Sequence, residues 1–542
     1  MANIIWLALV LVALSIHVQA KDVFAHFILA NAENFTQTHW TRDISAAKAA
    51  QIDAFALNTG YGAANTDQLL TDAFTVAAAH DFKLFLSLDY SGDGHWPPDQ
   101  VLKVLQGYAN HTAYYRVDNK HPLVSTFEGY EALADWSTIK EKLPNIYFMP
   151  EWSVRTPQEL ASEDAVDGLL SWSAWPYGTT PMNTSTDEQY ISALKAKDKP
   201  YIMPVSPWFY TDMVRYHKNW VWQGDGLWHT RWKQVLDLQP QFVEILTWND
   251  FGESHYIGPL HENELGIFSF GQAPFNYASG MVHDAWREFL PYVVGEYKNG
   301  SGKGVIDKEG VVVWYRVTPA WACKAGLTTG NSVTQGQQTM PPGQVLKDEV
   351  FFQALLEDTA DVEVSIGGGE NKSVGWTDTP SGGSSGGGRG LYFGSVPMDN
   401  RTGEVVVTLS RNGKFVAQMI GEKITTQCPD KLTNWNAWVG TAMSNVSNAS
   451  TSRASLSEEN GAASVRVGGG RGMDMWMGAL WMVVVVGIRA DRSIPTKWAC
   501  GSQINEEVLI QRRERLPLVE ESGVDISWRY EPHIGDNGDP SS

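Results

Sequence analysis

The sequence predicts an α/β fold: a (β/α)8 TIM-type barrel, then an antiparallel β-sandwich, then a C-terminal tail that we expect to be disordered. The first observation is a regular alternation of apolar runs and helical segments over residues 21–300, which predicts a parallel sheet. The second is that these runs are apolar throughout, as in strands covered on both faces. The third is a change, after residue 300, to short segments with period-two alternation and glycine-rich turns, which indicates antiparallel strands.

The first part of the chain is interpreted as eight strand–helix units. Helices are predicted at Ile44–Ile52 and Asp67–His80, and a third begins at Pro97-Pro98, because proline suits the first turn of a helix. A doubly wound open sheet is the alternative fold, but eight units with acidic residues at several strand ends favour the closed barrel. The predicted strands are Val23–Leu29, Ala54–Asn58, Leu84–Asp89, Leu123–Glu128, Ile146–Glu151, Gly168–Ser173, Tyr201–Ser206 and Phe242–Thr247.

The β-sandwich is predicted over residues 303–441, and residues 442–542 are predicted to be a linker and a tail with little structure. Ser444–Ala463 is too poor in apolar residues to offset the entropy of ordering. Met475–Ile488 is short for a membrane span, and contact with the sandwich edge or a membrane surface is its alternative. Gly382–Gly390 is predicted to be a mobile loop. The predicted sandwich strands are Val311–Val317, Val350–Leu355, Val362–Ile366, Val405–Leu409 and Phe415–Ile420.

The N-terminus has the pattern of a cleaved secretory signal. Residues 1–20 contain an apolar core, Ile4–Ile16, followed by the small-residue cleavage site Val18-Gln19-Ala20. An uncleaved anchor is the alternative, but the apolar run is short for a bilayer. We therefore expect a secreted protein, extracellular or in the cell wall, whose mature chain begins at Lys21.

Sequons and cysteines agree with secretion. Two Asn-x-Ser/Thr triplets, at Asn445 and Asn448, lie in the predicted tail. Of the three cysteines, we expect Cys323 and Cys428 to form a disulfide, because both fall in the predicted sandwich, and Cys500 to stay unpaired. The six remaining sequons, which are the candidates for glycosylation, begin at Asn34, Asn110, Asn183, Asn299, Asn371 and Asn400.

The formal net charge is −20, from 61 acidic and 41 basic residues. Such a surface repels phosphate backbones and anionic membranes, so neither nucleic acid nor stable membrane insertion is expected. The chain has no paired-cysteine or His-Glu-x-x-His spacing typical of metal sites and no nucleotide-binding fingerprint. We therefore expect no metal and no cofactor. We also expect the protein to be a monomer.

The segment Trp248–Ser254, with the sequence Trp-Asn-Asp-Phe-Gly-Glu-Ser, carries the strongest functional signal. It places Asp250 and Glu253 just beyond the eighth predicted strand, where a barrel builds its active site. Glycoside hydrolysis uses two carboxyl groups, one to protonate the leaving oxygen and one to activate water or attack. The alternative is a helix N-cap with an acid at the third helical position, which the following Gly258-Pro259 disfavours.

Further acidic and aromatic residues are predicted at the same end of the barrel. Asp89, Glu128 and Glu151 end the third, fourth and fifth predicted strands, although each alone could be an ordinary solvated acid. Aromatic rings with polar edges suit sugars, whose C–H faces stack on them, and core packing is the alternative for about half of them. The candidate substrate contacts are Glu128, Glu151, Trp152, Trp175, Trp208, Trp248 and His26, with a hydrogen bond inside the barrel as the alternative for His26.

Five segments, in order, resemble the fungal α-1,3-glucanases called mutanases, glycoside hydrolase family 71. The resemblance covers Asp22–Gly440 and implies a secreted (β/α)8 barrel with a β-sandwich and endo-type cleavage of α-1,3-glucan with inversion. It also implies that the essential acids are Asp89, Asp250 and Glu253. The segments are Val23–Phe27, Ile52–Asn58, Leu86–Asp89, Thr247–Ser254 and Asn434–Gly440.

We therefore expect hydrolysis of α-1,3-glucan, with Glu253 as the general acid and Asp250 positioning or activating the water. The sequence leaves open which of the two has which role. Asp89 is expected at the floor of the site, where its charge would help to keep a neighbouring acid protonated. A cell-wall glucan-binding protein without turnover and a hydrolase of another glucan are the alternatives.

Overall fold

The computed structural model describes residues 21–92, 94–380, 387–445 and 453–454, with Asn445 and the last two residues described by their backbone only. These residues belong to one compact unit. The predicted signal segment, the sequon at Asn448, the apolar run Met475–Ile488 and Cys500 lie outside the described residues, as does most of the predicted Gly382–Gly390 loop.

The α/β part, residues 21–300, alternates strands and helices as predicted, so the mixed α/β fold is confirmed. Its strands are β1 (Asp22–Ile28), β2 (Ala54–Gly60), β3 (Lys83–Asp89), β4 (Arg116–Val117), β5 (His121–Phe127), β6 (Tyr147–Phe148), β7 (Leu169–Leu170), β8 (Tyr201–Val205), β9 (Tyr210–Met213), β10 (Lys218–Val221) and β11 (Phe242–Ile245). Its α-helices are α1 (Gln37–Ala49), α2 (Thr66–Ala79), α3 (Pro98–Tyr108), α4 (Leu133–Lys142), α5 (Pro157–Ala161), α6 (Ser185–Lys195), α7 (Leu227–Leu238), α8 (Gly266–Phe270) and α9 (Leu290–Asn299). Single 3-10 turns lie at Leu29–Ala32, Tyr130–Ala132, Val214–Tyr216, Glu262–Glu264 and Asp284–Arg287.

Eight parallel strands form a curled sheet in the order β5-β3-β2-β1-β11-β8-β7, with β6 beside β5. The strands are buried almost throughout, as their continuous apolar runs predict. At the remaining seam, Leu170 N donates a hydrogen bond to Pro150 O at 3.0 Å. Glu151 forms isolated parallel bridges with both Phe127 and Leu170. The carboxyl ends of all eight strands therefore lie along the same edge of the curled sheet.

Several elements differ in length from the prediction. Helix α1 begins at Gln37, seven residues before the predicted Ile44, because Thr36 caps it and Thr36 N donates to His39 Nδ1 at 3.1 Å. Strand β6 ends at Phe148, since Pro150 has no N–H to continue a ladder. Strands β9 and β10 form a hairpin that the sequence analysis did not predict.

The β part, residues 303–445 together with 453–454, contains two mainly antiparallel sheets and the short helix α10 (Pro342–Val345). One sheet has the order β17-β14-β12-β20 and the other β16-β15-β18-β19-β21. Residues of both sheets, such as Val313 and Val407, share one buried core. The strands are β12 (Lys308–Tyr315), β13 (Thr329–Gly330), β14 (Glu349–Leu356), β15 (Asp361–Ile366), β16 (Lys372–Val374), β17 (Gly390–Pro397), β18 (Gly403–Arg411), β19 (Lys414–Ile424), β20 (Trp438–Asn445) and β21 (Arg453–Ala454).

The two parts are joined by a continuous apolar core and by buried hydrogen bonds. Trp314 Nε1 of the β part donates to Asp225 O at 2.7 Å, and Trp208 Nε1 of the α/β part donates to Trp435 O at 2.9 Å. Cys323 and Cys428, the predicted pair, form a disulfide with their Cα atoms 6.5 Å apart. Among the described residues, none of the helices has the length and apolarity needed to cross a bilayer.

Candidate active site

The loop after β11 is held in place by backbone hydrogen bonds to its surroundings. Trp248 N donates to His26 O of β1 at 2.7 Å, and Thr247 N donates to His255 O at 2.9 Å. Asp250 N donates to Thr247 Oγ1 at 2.9 Å. The loop is therefore folded back on itself at the carboxyl end of β11, and this fold presents Asp250 and Glu253 at the mouth of the curled sheet.

Asp250 and Glu253 form one cluster with two basic residues. Glu253 Oε1 lies 2.5 Å from Lys218 Nζ, and Glu253 Oε2 lies 3.0 Å from His255 Nε2. Asp250 Oδ1 accepts a hydrogen bond from Glu253 N at 2.9 Å, and Asp250 Oδ2 lies 3.9 Å from His255 Nε2. The bond to Glu253 N is the one a helix N-cap would make, but a turn follows instead of a helix.

The surroundings of the two carboxyls favour opposite protonation states. Burial raises the pKa of Asp250, and the charge of Glu253 raises it further, against smaller opposing effects of His255 and Lys218. Burial alone would raise the pKa of Glu253 too, but the charge of Lys218 and the hydrogen bond from His255 outweigh it and hold that pKa well below its usual range. The cluster therefore favours an ionised Glu253 beside an Asp250 that gains a proton more readily than an ordinary aspartate.

The other predicted acids lie at neighbouring strand ends. Asp89 ends β3, and its Oδ1 accepts hydrogen bonds from Ser91 N at 2.8 Å and Gly92 N at 3.0 Å. Burial raises the pKa of Asp89 despite these bonds. Burial and the charge of Glu128 raise the pKa of Glu151 well above its usual range, and Asp89 adds to the effect. Asp89, Glu128 and Glu151 thus form a second acidic group in the same mouth.

Three of the four tryptophans predicted as substrate contacts are buried in this structure. Trp152, Trp208 and Trp248 are almost fully inaccessible, and each indole N–H has a partner inside the protein: Glu128 O, Trp435 O and Asp43 Oδ2 respectively. They present no face on which a sugar could stack here, and they support the site from behind. The predicted alternative of core packing describes them better.

Two other predicted contacts lie closer to the mouth. Trp175 is half-buried, and its ring centre lies 5.3 Å from that of His255, beside the acid pair. His26 is buried, and its Nδ1 lies 2.7 Å from Glu244 Oε1. This contact agrees with the alternative interpretation of His26, a hydrogen bond inside the barrel.

The six candidate glycosylation residues are all exposed, as the modification requires. Glycosylation itself stays a prediction.

Sequence reasoning missed two residues of this site and did not count Trp172 among the substrate contacts. Lys218 lies in a hairpin with no local signal, and His255 follows Glu253 without a motif that marks it. Trp172 follows β7 and is half-buried, with its ring centre 5.0 Å from His26 and 4.8 Å from Phe127. Its place after a strand end was the available signal, since it follows the strand that neighbours β8 at the mouth.

Asp250, Glu253 and His255 offer ligand atoms within 4.8 Å of one another, a spacing that could suit a divalent cation. However, the ammonium of Lys218 already contacts Glu253, and two cations on one carboxylate repel each other. The residues present therefore fit an ion pair better than a metal centre.

Two carboxyls with pKa values shifted in opposite directions, at the carboxyl end of a parallel strand in an α/β sheet, suit the acid and base roles of a glycoside hydrolase. Residues 19–452 match the family described as Glycosyl hydrolase family 71. This chain belongs to that family.

Relatives and one solved structure are similar to this chain. A glucan endo-1,3-alpha-glucosidase of Schizosaccharomyces pombe is 34% identical over 437 residues, covering 78% of this chain and 94% of that protein. A mutanase of Penicillium rubens is 34% identical over 367 residues, covering 65% of this chain and 77% of that protein. The GH99 endo-alpha-mannosidase from Bacteroides thetaiotaomicron is 16% identical with a TM-score of 0.40, over 51% of this chain and 97% of that chain.

Proposed function

We propose that this chain hydrolyses the α-1,3-glucosidic bonds of fungal cell-wall α-1,3-glucan and that it cuts within the chain. The observation that carries the proposal is the pair Asp250 and Glu253, held by Lys218 and His255 at the carboxyl end of β11. The substrate class comes from the printed activities of the two relatives, an endo-1,3-alpha-glucosidase and a mutanase.

The electrostatics favour the reverse of the roles expected from the sequence. A general acid must hold its proton at the working pH, and burial together with the Glu253 charge favours a protonated Asp250. A general base must be ionised, and Lys218 and His255 favour an ionised Glu253. We therefore propose Asp250 as the acid that protonates the leaving oxygen and Glu253 as the base that takes a proton from water. Asp89 is proposed to hold a sugar hydroxyl beside them.

Inversion, implied by the family resemblance, places a demand on this pair. Ligand oxygens of Asp250 and Glu253 lie within 4.8 Å of each other, whereas the carboxyl groups of inverting enzymes stand roughly 6.5–9.5 Å apart. If the product is inverted, the two side chains must separate as the sugar enters between them. Proton NMR of the first products decides this point, because the newly released anomer is β after inversion and α after retention.

We also propose that the α/β part is a closed (β/α)8 barrel and that the β part is a sandwich. The hydrogen bond from Leu170 N to Pro150 O supports closure between β6 and β7, and the core shared by both antiparallel sheets supports the sandwich. Action outside the cell, as a monomer, is part of the proposal. Action outside the cell is supported by the disulfide and by six exposed sequons, because disulfides persist in oxidising compartments.

The first experiment incubates the purified chain with insoluble α-1,3-glucan and, separately, with β-1,3-glucan. We expect soluble oligosaccharides of several lengths from α-1,3-glucan alone. Binding without released reducing ends would identify a glucan-binding protein, and release from β-1,3-glucan would identify another glucanase. Products of a single length would contradict cutting within the chain.

The second experiment assigns the roles of the acids. Asp250→Asn and Glu253→Gln should each lose activity on glucan by orders of magnitude, whereas Asp399→Asn, which removes a carboxylate bound to Lys372 at 2.6 Å far along the β part, should not. On a glucosyl fluoride, whose leaving group needs no protonation, Asp250→Asn should recover turnover and Glu253→Gln should not. The opposite pattern would restore Glu253 as the acid.

A further inference from the structure

Lys218 gives Glu253 a partner on one carboxylate oxygen while His255 bonds the other. The Lys218 side chain is 41% exposed and that of Glu253 is 16% exposed, so the pair lies at the wall of the cleft rather than in the core. Because both oxygens of Glu253 are engaged, the carboxylate has one favoured orientation. A neutral side chain at position 218 would leave that orientation to His255 alone.

The hairpin that carries Lys218 is bonded directly to the catalytic loop. Lys218 is the first residue of β10 and pairs with Met213, the last residue of β9. Tyr210 N of β9 donates to Glu253 O at 3.1 Å. The Met213 side chain also packs so closely on Gly252 that a Cβ there would overlap it. The hairpin and the loop are therefore one packed unit on this side.

A segment of the β part holds the other side of the same hairpin. This clamp segment, residues 328–340, pairs β13 in parallel with β10, with Trp220 opposite Thr329. Asn331 is fully buried. Its N donates to Val221 O at 3.0 Å, its Nδ2 donates to Gln338 O at 2.8 Å, its Oδ1 accepts from Gly178 N at 2.9 Å, and its O accepts from Thr329 Oγ1 at 2.9 Å. Asn331 thus bonds β10 through its backbone N–H, and its side-chain amide ties the loop after β7 to the clamp segment.

We propose that Lys218 is a positioning residue that keeps Glu253 ionised and oriented, and that the clamp segment, through Asn331, holds Lys218 in register. The inference rests on the proposed roles of Asp250 and Glu253. It makes the β part a component of the active site rather than an independent accessory domain, because the strand that carries Lys218 is completed by residues of that part.

The test compares Lys218→Met, Lys218→Arg and Asn331→Gly on soluble α-1,3-linked oligosaccharides over a range of pH. Losing an opposite charge at this distance raises the pKa of a carboxyl by roughly one to three units. With Lys218→Met, the acid limb of kcat/KM should therefore move to higher pH by about that amount, and kcat should fall. Lys218→Arg keeps the charge and should keep the limb near its original place.

Asn331→Gly removes the amide while keeping a residue that tolerates the left-handed φ of +70°. We expect a smaller shift of the acid limb in the same direction as with Lys218→Met. Asn412→Gly, at φ +53° in the exposed turn between β18 and β19, is the matched control and should not move the limb. Lys233→Met removes a lysine that is 2.5 Å from Asp378 and controls for loss of an ion pair elsewhere.

The outcomes separate the inference from the proposed function. If the wild type cleaves α-1,3-glucan but Lys218→Met loses activity with an unmoved acid limb, Lys218 has only a structural role and the inference is wrong. If Lys218→Met does not fold, Lys218→Arg and Asn331→Gly still decide. An unmoved limb in Asn331→Gly overturns the role of the Asn331 side chain in the clamp, because glycine keeps the backbone bond to Val221 O. A shifted limb in Lys218→Arg overturns the role of charge. A wild type without glucanase activity overturns the proposed function itself.

Discussion

Trp248 Nε1 donates a hydrogen bond to Asp43 Oδ2 at 2.8 Å, and both side chains are fully buried. The other carboxylate oxygen, Asp43 Oδ1, lies 2.8 Å from His261 Nε2. The guanidinium of Arg287 stands over the indole, 5.5 Å from its centre. Trp248 begins the loop that carries Asp250 and Glu253, so helix α1, which contains Asp43, anchors this loop.

Asp43→Ala is therefore predicted to weaken both the fold and the chemistry. It leaves the buried N–H of Trp248 and the ring of His261 without their acceptor, and each unsatisfied buried group costs about 1–3 kcal/mol. Tm should fall by several degrees. The factor by which kcat falls should exceed the factor by which KM rises, because the loop that carries Asp250 and Glu253 shifts while the aromatic side chains predicted to contact the sugar stay in place. Asp81→Asn removes an exposed carboxylate at a left-handed φ of +48°, which asparagine tolerates, and is the control. An unchanged kcat in Asp43→Ala would show that the loop is fixed without this anchor.

Trp172 is predicted to be the platform for a sugar ring in the mouth. Its ring is half-buried and stands edge-on to His26 and Phe127, close to the strand end that carries Asp89. Trp172→Ala should raise KM for short α-1,3-linked oligosaccharides roughly tenfold, or about 1.4 kcal/mol, with little change in Tm. Trp152→Ala, which opens a cavity in the core, should instead lower Tm strongly. A lowered Tm with unchanged KM in Trp172→Ala would make this residue a packing element too.

Most of the fold could be predicted from the sequence, because each strand of the parallel sheet is a local apolar run. The sequence also predicts Asp250, Glu253 and Asp89 as site residues, because acids that follow such runs stand out. It could not point to Lys218, whose place depends on a short hairpin and on the pairing of Trp220, in the same strand, with Thr329 far along the chain. The sequence also could not show that Trp172 is accessible and Trp248 is buried. Tryptophan occurs both in protein cores and in contact with sugars, and only the packing shows which indole is accessible.

The buried carboxyl of Asp225 should make the free energy of unfolding depend on pH. Its Oδ1 accepts from Lys347 N at 3.3 Å, and Oδ2 has no hydrogen-bond partner among the residues described. Burial raises the pKa of Asp225 to about 7, against opposing effects of Arg316 and Lys347. The folded state therefore binds a proton that the unfolded state has lost between about pH 4 and pH 7, so the stabilisation is present at low pH and is lost as pH rises through that window.

Asp225→Asn should remove this dependence, since the amide cannot ionise. The variant should gain stability relative to the wild type at pH 7.5, on the order of a few kcal/mol, and differ little at pH 4. Thermal melting at both pH values measures it, with the exposed Asp361→Asn as the control. An equal effect of Asp225→Asn at both pH values would mean that the carboxyl does not change its charge in this range.

Truncation distinguishes the folded chain from the predicted tail. The predicted boundary at residue 441 cuts through β20, which pairs with β12 from Trp438 to Asn445. A chain ending at Gly440 loses buried Ala442 and the bond from Thr441 Oγ1 to Val311 O at 3.0 Å. We expect its Tm to fall by at least about 5 °C, because each kcal/mol corresponds to about 2–4 °C in a domain of this size. A chain ending at Leu456 keeps all of the described strands and should match the full chain in Tm, secretion and glucanase activity. A loss of activity or secretion in that longer chain would show that residues beyond Leu456 contribute to the enzyme, and an unchanged Tm in the shorter one would show that the end of β20 contributes nothing to the fold.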